Sequence, residues 1–203
     1  MTNPTQYAIV GSGNIGSALA RLFARAGLAV SLANTRGPES LDQLVGSLGP
    51  AIHAVALEEA LDSEVIFLAI PFTAVGQFGK SRPDWSGKLI VDTTNAHYAP
   101  GADDILRGRR STRYTAEQLP GAAVVKAFNQ LPANVLAAEL EPAAGRRVIF
   151  VASDTPAAAD QIGALIGKLG LSAVQLGRID EGGRLIEAPN ALVLRNLIER
   201  PLG

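Results

Sequence analysis

The chain has 203 residues, 47% of them hydrophobic, with 18 basic side chains against 19 acidic ones for a net charge of −1, and it has no cysteine. That size and apolar content suit one core-bearing domain, and the near-neutral balance argues against nucleic acid or an anionic membrane as partner. Without cysteine there is no disulfide, thiolate nucleophile or thiolate metal site, and His53 and His97 are the only imidazoles. The N-terminal "MTNPTQYAIVGSG" lacks a basic flank and a signal-length apolar run, and no stretch reaches the roughly 18 to 20 apolar residues of a membrane span. A soluble, cytoplasmic protein acting on small molecules is expected.

In chain order, strand-like runs stand at 7–10, 28–33, 51–55, 65–70, 89–93, 122–128, 147–152 and 172–177. They are near-continuous in Val, Ile and Leu, as strands buried on both faces of a parallel sheet are. Segments of helical period lie between them, such as Ile15, Leu19, Leu22 and Ala26, or Ile162, Leu165, Ile166 and Leu169. This alternation predicts an α/β fold over residues 1–203: a Rossmann-type, doubly wound, mainly parallel sheet of about eight strands with helices on both faces. Residues 96–112, rich in Gly, Pro and charge, read as a long loop, either a solvated connection or a functional segment. A C-terminal helical segment is expected at about 184–200, from the spacing of Leu192, Leu194, Leu197 and Ile198, interrupted at Pro189 and stopped at Pro201.

The first strand runs into Gly11, Gly13 and Gly16, which open an amphipathic helix. In that context Gly11 permits the tight turn, Gly13 lets a pyrophosphate approach the backbone, and Gly16 brings helix against strand. The free N–H groups and dipole of the first helical turn then face the phosphates. Beyond the second strand an NAD site usually carries Asp or Glu for the ribose hydroxyls. Here Asn34, Thr35 and Arg36 put neutral donors and a guanidinium there, and a guanidinium suits the extra phosphate of NADP. Ser40 is a further donor candidate, and Glu39 is expected to point away.

The stretches "GSGNIGSALARLFARAGLAVSLANTRGPESL", "VIFLAIPF", "VVKAFNQLPANVLA" and "GRLIEAPNALVLRNL" resemble the NADP oxidoreductases that use the deazaflavin coenzyme F-420, in the same order and over essentially the whole chain. The chain is similar, more distantly, to the reductase domain of STEAP-type metalloreductases and the cofactor domain of pyrroline-5-carboxylate reductases. The resemblance implies that Ser12, Asn14 and Ile15 line the pyrophosphate. It matches Thr35 and Arg36 to the pair that holds the NADP phosphate, and Ile70, Pro71 and Phe72 to a turn flanking the nicotinamide. Asn129, Leu131, Pro132 and Ala133 match the wall on which the second redox ring stacks. The sequence departs from these enzymes in "TTNAHYAPGADDILRGRRSTRY", which leaves the acceptor open.

Hydride transfer between two stacked rings needs no dedicated acid or base, which suits a pocket of Ile70, Pro71, Phe72, Phe128 and Pro132. A carbonyl or imine acceptor would need a proton donor, and His97, Tyr98 and Lys126 are the candidates. His97 follows a strand end; His53 reads as structural, and Lys126 reads as snorkelling to the surface along its stem. Asn95 and Asn129 terminate strands on the ligand edge, as amide contacts to ligand or as turn formers. The basic run from Arg107 to Arg113 reads as an anion lure or an ordinary exposed loop. An NADPH-dependent oxidoreductase with F-420 or a flavin-like acceptor leads. A redox-sensing NADPH module and a small imine or carbonyl reductase remain alternatives. A homodimer is expected from the apolar C-terminal stretch.

Overall fold

The computed structural model describes residues 6–97 and 99–200, so Tyr98 and Pro201 lie outside the described residues. The elements run β1 (Tyr7–Val10), α1 (Asn14–Ala26), β2 (Val30–Ala33), α2 (Asp42–Leu48), β3 (Ile52–Ala54), α3 (Leu57–Ala60), β4 (Val65–Leu68), α4 (Val75–Gly79) and β5 (Leu89–Asp92). There follow α5 (Ala102–Leu106), α6 (Ser111–Gln118), β6 (Ala123–Ala127), α7 (Ala133–Ala137), β7 (Arg146–Ser153), α8 (Pro156–Lys168), β8 (Ser172–Gln175) and β9 (Ile198–Glu199). The sheet order is β3-β2-β1-β4-β5-β6-β7-β8, with β9 on β7. From β3 through β6 every pairing is parallel; β7 runs antiparallel to β6, and β8 is parallel to β7. This is the Rossmann-type α/β fold. Its strand order reverses at β1 and β4, where open sheets leave a ligand crevice at the strands' carboxyl ends.

The strands read as unbroken apolar runs because both faces are covered. Along β4, Val65 and Phe67 enter one core with α1 and α8, while Ile66 and Leu68 enter the other with Phe72, Phe78 and Trp85. Helix α1 buries Leu19, Leu22 and Phe23 and ends at Gly27 in the left-handed region. There the Gly27 N–H donates to Ala24 and the Leu28 N–H to Phe23, the double bond that closes a helix C-terminus.

Two expectations fail. No helix fills 184–200: a 3-10 segment, Gly182–Ile186, gives way to turns and then to β9. Pro189 has no N–H to continue a helix, and the sheet captures the rest. Leu194 N–H donates to the Gln130 carbonyl at 2.7 Å, and the Leu197 carbonyl accepts from Val148 N–H at 2.9 Å. Residues 96–112 are not one loop, since they contain α5 and the start of α6. The start of α6 is held by Glu187, whose carboxylate accepts from Thr112 N–H at 2.9 Å, a cap 75 residues away in the chain.

Candidate active site

At the carboxyl end of β1 the three glycines answer different demands. Gly11 has φ +110°, and a Cβ there would overlap the Ala69 carbonyl; a Cβ on Gly16 would overlap the Gly11 carbonyl. Both are required by the chain's own packing. Gly13 is not, because a Cβ there would meet nothing within 4 Å. Gly13 caps α1 with no side-chain hydrogen bond, and the first turn holds no acidic residue. The helix therefore presents unsatisfied N–H groups and its positive end to the crevice, the donor set an anion needs.

On one side of this turn lies a cavity of about 640 Å³, walled by Gly11, Ser12 and Gly13, by Asn34, Thr35 and Arg36, and by Ile70 and Pro71. Asn34 organises it. Its Nδ2 donates to Ser12 Oγ at 2.9 Å and to Ser40 Oγ at 3.0 Å, while its Oδ1 accepts Arg36 N–H at 2.8 Å in an Asx turn. Thr35 and Arg36 are exposed, and the Arg36 guanidinium makes no ion pair among the described residues. Ser40 is tied within the loop, its hydroxyl 2.7 Å from the Gly37 carbonyl.

Across the turn is a second cavity, of about 730 Å³, between α1 and α7. Asn14, Ile15 and Arg21 face it from α1; Asn95, Asn129, Leu131, Pro132 and Ala133 face it from the ends of β5 and β6. The two asparagines clasp each other: Asn95 Nδ2 donates to the Asn129 carbonyl at 2.8 Å, and Asn129 Nδ2 to Asn95 Oδ1 at 3.1 Å. Asn129 Nδ2 also donates to the Ile186 carbonyl, so two acceptors fix its amide orientation, and its Oδ1 is buried without a partner. The cavity's described lining contains no Asp, Glu, His, Lys or Tyr.

A third cavity, of about 600 Å³, lies beside α5 and α6; it shares Asn95 with the second and includes His97, Arg110 and Glu187. His97 is thus on the edge of the crevice region but not in the cavity of Asn129. His53, in β3, is exposed rather than packed.

Several predicted positions are corrected. Phe72 is 2% exposed and packs on Tyr114, with ring centroids 5.5 Å apart, and it is not among the residues that wall these three cavities. Phe128 is fully buried against Phe67. Its backbone, at φ +62°, turns the ring into the core while Asn129 faces the crevice. Ile70 and Pro71 stand with Arg36, not with Asn129. Lys126 does not reach the surface. It is fully buried, 3.2 Å from Asp92 Oδ2 and 2.6 Å from the Thr94 carbonyl, because β7 closes over β6 beside it. In the basic run, Arg109 pairs with Glu117 at 2.6 Å and Arg113 with Asp154 at 2.7 Å and with Asp180, so these two are structural.

Sequence reasoning overlooked Arg21 and Glu187. Arg21 was legible: it falls seven residues after Asn14, two turns along the same face of α1. Glu187 carried no local signal. Among the described residues no cluster of three or more His, Asp or Glu could hold a metal, and no helix is long and apolar enough to cross a membrane.

The model of the family described as NADP oxidoreductase, coenzyme F420-dependent, matches residues 6–96. A hypothetical protein from Sinorhizobium meliloti of known structure is 40% identical, with a TM-score of 0.90 over 97% of this chain and 96% of that one. A protein from Arthrobacter sp. FB24, provisionally named an F420-dependent NADP reductase, is 20% identical, with a TM-score of 0.68 over 97% of this chain and all of that one. A reductive aminase from Aspergillus terreus, solved with NADPH4, cyclohexanone and allyl amine, is 20% identical with a TM-score of 0.59; the match covers 90% of this chain and 57% of the aminase. At that identity the last two share the fold. Among curated proteins nothing matches the chain. By its glycine turn, its family match and its full-length relative, the chain belongs to the family of NADP oxidoreductases described as coenzyme F420-dependent, and it is an NADP-dependent oxidoreductase.

Proposed function

We propose that the chain, acting as a single domain, carries hydride between NADP(H) and a flavin-like or deazaflavin ring. In this reading the diphosphate lies on the glycine turn and the N–H groups of α1, with Ser12, Asn14 and Ile15 beside it. Thr35 and Arg36 hold the phosphate peculiar to NADP, positioned by Asn34 and Ser40. The adenosine side packs against Ile70 and Pro71. The nicotinamide reaches across the turn toward Asn95, and the acceptor stacks on the wall formed by Asn129, Leu131 and Pro132. NADPH supplies the hydride, and the reduced ring takes its balancing proton from water.

One observation supports this acceptor class above the rest: among the described residues the cavity between α1 and α7 offers amides, apolar surface, the Ser17 hydroxyl and one guanidinium, but no Asp, Glu, His, Lys or Tyr to serve as a general acid. Ring-to-ring hydride transfer asks the protein only for positioning and water exclusion. An imine acceptor would need a donor at its nitrogen.

Arg36→Ala tests the coenzyme assignment. A charge-assisted pair to phosphate contributes about 1.5–3 kcal/mol, so NADPH affinity should fall by about 10- to 100-fold with NADH unchanged. Unaltered preference would remove Arg36 from the site. Stopped-flow oxidation of NADPH against F-420, FMN, FAD, riboflavin and small imines tests the acceptor. Turnover confined to imines would overturn the ring reading, and tight NADPH binding with no turnover would point to a sensing module. Leu194 and Leu197, 62% and 46% exposed, support a homodimer, which a monomeric mass by light scattering would exclude.

A further inference from the structure

Beside the start of β7 is a cavity of about 330 Å³ that the hydride reading does not use. Arg25 borders it from the last turn of α1, Ala138 and Glu139 from the chain after α7, Arg147 from β7, and Leu171 from the turn between α8 and β8. Two guanidiniums hold consecutive carbonyls here. Arg25 Nη1 donates to the Ala137 carbonyl, and Arg147 Nη1 to the Ala138 carbonyl at 2.7 Å. Arg147 is only 3% exposed, and its other partner is also neutral, Asn196 Oδ1 at 3.0 Å from Nε. No carboxylate pairs with Arg147 among the described residues. Burial first, and then the charge of Arg25, hold its pKa below the ordinary arginine value. A guanidinium nevertheless stays protonated inside a protein, so a desolvated positive charge stands uncompensated next to a like charge.

The chain's own carboxylate at this cavity is Glu139. It meets Arg25 at 3.6 Å with its side chain 77% exposed, and it forms no pair with Arg147. So exposed a contact contributes little and yields to a competing anion. The ends of α1 and α8 bring carbonyls rather than N–H groups, so the guanidiniums alone supply the attraction.

We propose that this cavity is an anion site in which Arg25 and Arg147 together hold a phosphate group, as the free ion or as a monoester. A doubly charged, tetrahedral oxyanion matches two forked cations, whereas a single carboxylate balances one. The bound group neutralises the pair and replaces Glu139 on Arg25. Leu140 and Leu171 border the cavity and give an apolar substituent a surface. The coenzyme phosphates are assigned above to the glycine turn and Arg36, so this site stands apart from the proposed function.

Inorganic phosphate titrated into the full chain, at about pH 8 where it is a dianion and at constant ionic strength, tests the proposal through backbone amide chemical shifts. Saturating shifts are expected at Ala138, Glu139, Arg147 and Leu171, whatever happens at Gly11 to Gly16. Acetate should bind about tenfold more weakly, and Arg25→Gln should weaken phosphate binding by about tenfold or more, the scale of one hydrogen bond between charged groups. Phenyl phosphate binding tighter than inorganic phosphate would assign the site to a monoester, and equal or weaker binding to the free ion. Shifts confined to the glycine turn, acetate binding as tightly as phosphate, or undiminished phosphate affinity in Arg25→Gln would overturn the proposal. The wild-type titrations stand even if the variant fails to fold.

Discussion

Substituting alanine at each glycine of the opening turn separates what the chain needs from what a ligand needs. Gly13 sits at φ −72°, ψ −163°, backbone that any residue adopts, and its Cβ would have no neighbour within 4 Å. Gly13→Ala should therefore leave the fold intact, and the less flexible unfolded chain should add about 0.4–1 kcal/mol of stability. The added methyl projects toward the space in front of α1, where it would hold a diphosphate off the first-turn N–H groups. Weakening one or two hydrogen bonds to a charged group, at about 1.5–3 kcal/mol each, raises the NADPH dissociation constant by roughly 10- to 100-fold or more. Gly11→Ala should behave oppositely. Left-handed strain of about 1–3 kcal/mol, added to the overlap with Ala69, lowers the melting temperature before any ligand is present. Calorimetric unfolding and NADPH fluorescence titration of both variants read the two effects separately. A folded Gly13→Ala protein with wild-type NADPH affinity would refute the reasoning, because the coenzyme would then not approach at that atom.

The buried pair of Asp92 and Lys126 gives a stability prediction: Lys126→Met leaves a carboxylate uncompensated in the core and should cost about 3–5 kcal/mol in urea unfolding. Adding Asp92→Asn should recover much of this, since an amide still accepts from Thr94 N–H without carrying a charge; a loss under 1 kcal/mol in the single variant would show the pair to be unimportant. At Asp154, partial burial pushes the carboxyl up, but hydrogen bonds from Arg113 and the Ile179 N–H, with the charge of Arg178, outweigh it and hold the group below the usual range. A depressed native value means that its stabilisation is full above the ordinary aspartate pKa of about 3.9 and is lost as pH falls through the native value. Arg113→Gln should thus raise the Asp154 pKa, followed by NMR, and shift acid unfolding to higher pH; an unmoved Asp154 titration would contradict this account.

The strands were legible in the sequence because burial on two faces leaves long Val, Ile and Leu runs, and α1 because Ile15, Leu19, Leu22 and Ala26 repeat at its period. The glycine turn and the exposed Arg36 beyond β2 were legible because their chemistry is local. What failed depends on partners distant in the chain. The cap of α6 comes from 75 residues away, and the partner of Lys126 from 34. Phe72 and Phe128 were misplaced because proximity to a crevice in sequence does not tell which way a side chain turns at a strand's end. The C-terminal leucines had helical spacing, but Gln130 and β7 compete for the same backbone groups.

Phe128 closes a file of rings that begins at Tyr7 and passes through Phe23 and Phe67, with centroids 5.5 to 5.7 Å apart. Its backbone conformation would suit glycine better, at a penalty of about 1–2 kcal/mol for a ring-bearing residue. Burying that ring outweighs the penalty, so the interior acts as a gunsight for Asn129 and the residues after it. Changing Phe67 to a smaller side chain would therefore loosen the aim of a wall it never touches, and a search for altered acceptor preference has reason to begin inside the protein.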